Sequence, residues 1–238
     1  MMSVYCTDNI NFVRYIMKIS NDTLSVLKNF ATVNTNILVR KGNTLSTIST
    51  GKNIFATATI AETFDREFAI YDLNSLLGLL TLVEDTEIAF GEDSITMSTG
   101  CGLFEYFYCE DNIITAAPDK QIEVDDFFSF DLSAEELNMI QKAAGIAAAP
   151  MVSVIGNGSS ATLVVGDPAI ESGQSNKNNY TQPISESDKT FAAHLQIENL
   201  KVLPGDYRVV ISQKKFMHLI NTTSNVKYWL ALHPSSEI

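Results

Sequence analysis

The sequence predicts an α+β chain in which one helix-and-strand unit is used twice. Two internal echoes and the spacing of turn residues carry that expectation. Phe68 to Val83 (FAIYDLNSLLGLLTLV) starts as an apolar strand and runs into a helix, and Phe191 to Leu203 (FAAHLQIENLKVL) repeats the plan. Ile197 and Leu200 stand where the first copy has Leu73 and Leu76, an offset of 124. Helix 22–33 ahead of strand 36–41 is echoed by helix 133–147 ahead of strand 151–155. Leu24, Leu27 and Ala31 match Leu137, Ile140 and Ala144 at an offset of 113. An insertion in the polar loop 172–190 accounts for the difference. Self-similarity on this scale marks repeated structural units.

Taken in order, apolar and β-branched runs at 36–41, 44–50, 53–59, 66–71, 87–90, 94–98 and 103–108 follow the first helix. Lys41-Gly42-Asn43 and Gly51-Lys52-Asn53 supply turns between them. Asp72 is placed to cap helix 73–83, whose Leu73, Leu76, Leu77, Leu80 and Val83 share one face. Gly78 inside that helix costs roughly 1 kcal/mol relative to Ala, which points to close backbone packing. Ala117-Pro118-Asp119 breaks regular structure in a linker around Asp111 to Asp126. The expected domains are therefore 17–120 and 121–238, each long enough to bury its own core.

In the second half, Ser133 with Glu136 forms a capping box at the start of helix 133–147. Runs follow at 151–155, 160–165, 189–195, 205–212, 215–220 and 226–232. Asn157-Gly158 between two apolar runs signals a hairpin, and no helix or Lys-Ser/Thr follows to make it a phosphate loop. Pro204-Gly205 is expected to close a fourth helix. The last run alternates, with Val226, Tyr228, Leu230 and Leu232 on one face.

Composition narrows the function classes. The 238 residues are 45% hydrophobic and 18% charged, the balance of a globular chain. No run reaches the roughly 18 apolar residues that span a bilayer, so no membrane association is expected. Cys6, Cys101 and Cys109 show no metal-ligand spacing and suit a reducing compartment. His194, His218 and His233 are scattered, and no nucleophile elbow or glycine-rich nucleotide loop is present. An enzyme is not the expected reading, and no cofactor is implied; the aromatics Phe104, Tyr106, Phe127, Phe128 and Trp229 read mainly as core.

The formal charge is −12, which argues against tight wrapping by nucleic acid. The few basic residues nevertheless sit on helix faces: Lys28 with Ser25, Asn29 and Thr32; Lys142 with Asn138 and Gln141; Lys201 beside Asn199. Glu135 and Glu136 stay in the first turn, where the helix dipole favours them. Such stripes suit either ordinary solvation or sequence-blind phosphate contacts.

From Met17 onward the chain resembles the sliding clamps of T-even-type bacteriophages, the processivity factors of their DNA polymerase. The resemblance rests on Met17-Lys18-Ile19-Ser20, on Leu27-Lys28-Asn29-Phe30-Ala31-Thr32, and on Ala69-Ile70-Tyr71-Asp72-Leu73-Asn74 with Leu77-Gly78 and Leu80. Pro204-Gly205-Asp206-Tyr207 fits the same template. It implies a two-domain DNA-clamp fold whose homotrimer closes into a ring around duplex DNA, with edge strands pairing across subunits and four helices per chain lining the hole. It implies the polymerase, an ATP-dependent clamp loader and late-transcription factors as partners, in the cytoplasm of an infected bacterial host. Lys18, Lys28, Lys120, Lys142 and Lys201 are then the residues expected to face DNA. Residues 1–16 have no counterpart in the resemblance and read as an N-terminal extension or a start-site artefact. The rival reading is an acidic β-rich phage adaptor or virion protein.

Overall fold

A computed structural model describes residues 15–82, 88–99, 102–119, 122–167 and 178–238. Most of the expected leader, Val83, Lys120, Cys6 and Cys101 lie outside these residues. The first half runs β1 (Tyr15–Met17), α1 (Asn21–Val33), β2 (Ile37–Val39), β3 (Gly42–Ile48), β4 (Ile54–Phe64), β5 (Phe68–Ile70), α2 (Leu73–Leu82), β6 (Ile88–Phe90), β7 (Ser94–Thr99) and β8 (Gly102–Phe107). The second runs β9 (Phe128–Leu132), α3 (Ala134–Ala147), β10 (Met151–Asn157), β11 (Ser160–Gly166), β12 (Tyr180–Glu186) and β13 (Thr190–Gln196). A 3-10 turn (Ile197–Asn199), β14 (Tyr207–Ser212), β15 (Phe216–Asn221) and β16 (Val226–Ala231) complete it.

Element by element, the second half repeats the first. Antiparallel β1-β6-β7-β8 is matched by β9-β14-β15-β16, and the β2–β5 pair by β10–β13. The repetition reaches single hydrogen bonds. Leu73 N–H donates to Thr35 O at 2.8 Å and Ile197 N–H to Pro150 O at 3.0 Å. Cys109 N–H donates to Ala69 O at 3.0 Å and His233 N–H to His194 O at 2.7 Å. The two halves are fused where β4 pairs with β16, from Ala58 opposite Val226 to Ile54 opposite Leu230. That ladder completes a six-stranded sheet, β3-β4-β16-β15-β14-β9, shared by both halves.

The helix starts follow their local chemistry. The Ser133 side chain accepts from Glu136 N–H, and the Glu136 carboxylate accepts from Ser133 N–H at 2.8 Å, completing the capping box. Asp72 Oδ1 accepts from the N–H groups of Asn74 and Ser75, each at 3.1 Å. At α1, Ser20 caps from within, and Glu62 on β4 accepts from both Ser20 N–H and Thr23 Oγ1. Burial pushes the Glu62 carboxyl up, but those bonds outweigh it and hold it below its ordinary 4.5. A depressed folded value means stabilisation that is full above the unfolded value and lost as pH falls through the folded one. Glu62→Gln should therefore lower stability at neutral pH, and its denaturant midpoint should converge on that of the parent chain below pH 4. Parallel midpoint curves across that range would refute the role given to Glu62.

Four sequence expectations need correction. The fourth helix is only the 3-10 turn, after which Leu200 and Val202 are buried and Lys201 is exposed, as in extended chain. Gln196 offers no capping bond where Asp72 does, and Pro204 leaves too few residues to offset helix nucleation. Each chain thus brings three α-helices among its described residues. The polar stretch 172–190 contains β12, an edge strand with Pro183 at an irregularity in its pairing with β11. Gly78 is exposed, and an added Cβ would meet nothing within 4 Å, so close packing does not explain it. Lastly, Tyr15 and Ile16, assigned to the leader, pair with Phe90 and Ala89 in the sheet.

Candidate nucleic-acid interface

The helix layer carries little net charge in a strongly acidic chain. Its acids, Asp22 in α1 with Glu135 and Glu136 in α3, all sit in first turns, and α2 carries no charged residue at all. Lys28 lies on the exposed stripe of α1 with Ser25 and Thr32, one helical turn apart. Lys201, from the other half of the chain, reaches the same place: its Nζ donates to Thr32 O at 2.9 Å. The last turn of α1 has no basic residue of its own, so Lys201 supplies the cation that the carbonyl end of a helix favours.

Lys28 and Lys201 thus both border the exposed face of α1, Lys28 at mid-helix and Lys201 at its carbonyl end. Lys142 is exposed on α3, about one turn from Asn138, Met139 and Ile146, so it borders the polar stripe and the exposed apolar pair alike. Lys18 follows β1 and is exposed; by the repeat it matches Asp131, the outward-facing residue of β9. Lys120 lies outside the described residues.

The junction between the halves is built on α1. Asn29 Nδ2 donates to Lys201 O at 3.3 Å, and Asn29 Oδ1 accepts from the Tyr228 hydroxyl at 2.8 Å. That hydroxyl also accepts from Leu203 N–H at 3.1 Å, and burial pushes its pKa far up, so it stays a neutral donor. Asn53 Nδ2 donates to Asn199 Oδ1 at 2.7 Å on the same seam. Reading the sequence alone, Asn29 was indistinguishable from a solvated helix residue; its partners lie about 170 to 200 positions away, beyond any local pattern.

Two further features went unread in the sequence. Strand β8 is exposed along nearly its whole length, with Leu103, Phe104 and Phe107 open to solvent. It and β12 are the terminal strands of their sheets. On the six-stranded sheet, beside the linker between β8 and β9, Arg40, Lys41, Ile122, Val124, His218, Lys227 and Trp229 line a cleft of about 760 Å³. Trp229 stacks on His218 with ring centroids 4.3 Å apart, and burial holds that imidazole below its ordinary value and neutral. The linker itself is pinned, since Arg40 donates to Ala117 O at 2.8 Å and Asn34 to Thr115 O at 3.2 Å. His194 is buried and bonded to Ser153, a structural residue. Among the described residues no cluster of His, Cys, Asp or Glu is placed to hold a metal.

Comparison with known proteins agrees with this architecture. Residues 20–99 match the family model described as DNA polymerase processivity factor. The sliding clamp of Vibrio phage KVP40 is 28% identical over 201 residues, 82% of this chain and 90% of that protein. The sliding clamp of Enterobacteria phage T4 is 28% identical over 203 residues, 83% of this chain and 88% of that protein. In three dimensions, PCNA of A. fulgidus, solved with the C-terminal region of FEN-1 bound, superposes with a TM-score of 0.63 at 12% identity, covering 90% of this chain and 96% of that one. The fold is that of the clamps, and along most of its length the chain is similar to the sliding clamps of T4-like phages.

Proposed function

We propose that three copies of this chain close head to tail around duplex DNA and tether the replicative polymerase to it. The observation that carries the reading is the β4–β16 ladder inside the chain. By the repeat, β4 corresponds to β12 and β16 to β8, and among the described residues β12 and β8 end their sheets without a second partner strand. Joining β8 of one copy to β12 of the next reuses the internal junction. Bare edges of this kind favour pairing, and a head-to-tail contact forms a ring when its rotation closes.

A ring needs no tight grip on what it encloses. Each phosphate neutralised steepens the salt dependence of affinity by roughly 0.9, so a few lysines hold DNA weakly and let it slide. Lys28 and Lys201 are the foremost of these on the helix layer. An ATP-dependent loader would open the ring in the cytoplasm of the infected bacterium. Short apolar tails of the polymerase and of late-transcription factors would dock in the cleft beside Trp229, between Ile122 and Val124 of the linker. The FEN-1 peptide seen on A. fulgidus PCNA is the precedent for such a ligand on a clamp.

The test is polymerase run length on primed circular DNA with the cognate loader and ATP. Long products that need this protein are expected. No stimulation, or monomers alone in light scattering across a dilution series into the high micromolar range, would reject the ring.

A further inference from the structure

The junction inside the chain has a second, unfilled copy. On α1, Val26, Asn29 and Val33 form one stripe; the valines are 7% and 8% exposed, and Asn29 takes the Tyr228 hydroxyl. The helix offset of 113, fixed by the caps Ser20 and Ser133, carries these residues onto Met139, Lys142 and Ile146 of α3. There the flanking apolar residues are 49% and 88% exposed, an unusual state for an isoleucine. The strand side obeys the same rule. Tyr228 pairs with Leu219 in the β15–β16 ladder as Phe104 pairs with Met97 in β7–β8. Leu219 and Met97 are both fully buried, whereas Tyr228 is 0% exposed and its counterpart Phe104 is 38% exposed. Val26, Val33 and Tyr228, closed in the internal junction, therefore have open counterparts, and these lie in the two different halves of the chain.

We propose that the Met139–Lys142–Ile146 stripe of α3 is the seat for β8 of a second copy, with Phe104 lying against Lys142. This rests on the ring reading and makes Lys142 a subunit-junction residue instead of a DNA contact. The groove between α3 and Tyr180 at the start of β12 is where the side chains of an added strand would enter. The chemistry differs from the internal copy in a way that fits. Tyr228 donates its hydroxyl to Asn29; phenylalanine has no hydroxyl, and an ammonium over the ring face is the attraction it can offer. The internal junction is permanent and uses a buried neutral hydrogen bond. The external one must open for loading, and a lysine can keep its charge in water while its stem covers Met139 and Ile146.

Sedimentation of the full chain over a dilution series tests this, with circular dichroism to check folding. Phe104→Ala and Ile146→Glu should each raise the concentration at which the ring falls apart by about tenfold or more. Lys142→Ala should raise it by roughly two- to fivefold, and by no more when Phe104→Ala is already present. Lys28→Glu is the control and should leave assembly unchanged. If the parent chain forms rings and the Phe104 and Lys142 changes act independently or not at all, this assignment is overturned while the ring stands. If the parent chain forms no ring, both readings fall together.

Discussion

Replacing Gly156 by alanine should destabilise the chain by about 2–3 kcal/mol, the cost of forcing extra volume into a close-packed site. Gly156 lies in β10 between Ala161 of β11 and Phe191 of β13. An added Cβ would stand 2.5 Å from Lys189 O and 2.5 Å from Cε1 of Phe191. Neither neighbour can yield cheaply. Lys189 O already accepts from Gly158 N–H at 3.0 Å in the hairpin turn, where Gly158 takes a φ of 82°. Phe191 is held by rings on two sides, with centroids 5.5 Å from Phe127 and 5.0 Å from Phe128. For a chain of this size the loss corresponds to roughly 5–10 °C in Tm. Gly78→Ala in exposed α2 is the contrasting case, with no atom within 4 Å of the new methyl, and should raise stability by up to about 1 kcal/mol. Calorimetry on both variants decides the matter; a Gly156→Ala protein melting with the parent would show that the strand can shift after all.

The expectations that held were those written in short-range chemistry. Caps at Ser133 and Asp72, the leucine face of α2 and the Asn157-Gly158 turn each depend on residues within a few positions of one another, and each forms as expected. The duplication was legible for the same reason, since both copies need the same local signals. What failed depended on context. A helix pattern at 197–203 lacks a cap and meets Pro204, and tertiary burial of Leu200 and Val202 decides its course instead. Strand β12 hides behind Pro183 and polar residues because an edge strand needs neither an apolar face on both sides nor every N–H. Phe104 reads as core by its type but is exposed on β8, the terminal strand of its sheet, and residue type alone does not tell a core strand from an edge strand. Lys142 was grouped with Lys28 because both are lysines on helices. Only the three-dimensional repeat separates them, since Lys28 matches Gln141 and Lys142 matches Asn29.

Lys28→Glu should leave the ring intact and shorten processive synthesis several-fold at moderate salt. Lys28 makes no ion pair or hydrogen bond with any described residue, so its removal costs the fold almost nothing. Under the proposed function it is a mobile phosphate contact repeated around the ring. Reversing its charge turns an attraction into a repulsion in every subunit, and the loss should shrink as salt screens it over a Debye length of about 8–10 Å. Lys201 behaves differently because it has two tasks. Lys201→Met should impair synthesis in the same direction and also lower stability by about 0.3–1 kcal/mol, since the carbonyl end of α1 loses its cation. A shared loss of synthesis with a melting shift confined to Lys201 would fit both roles. Undiminished run lengths for Lys28→Glu at low salt, where electrostatic contacts matter most, would remove α1 from the DNA-facing surface.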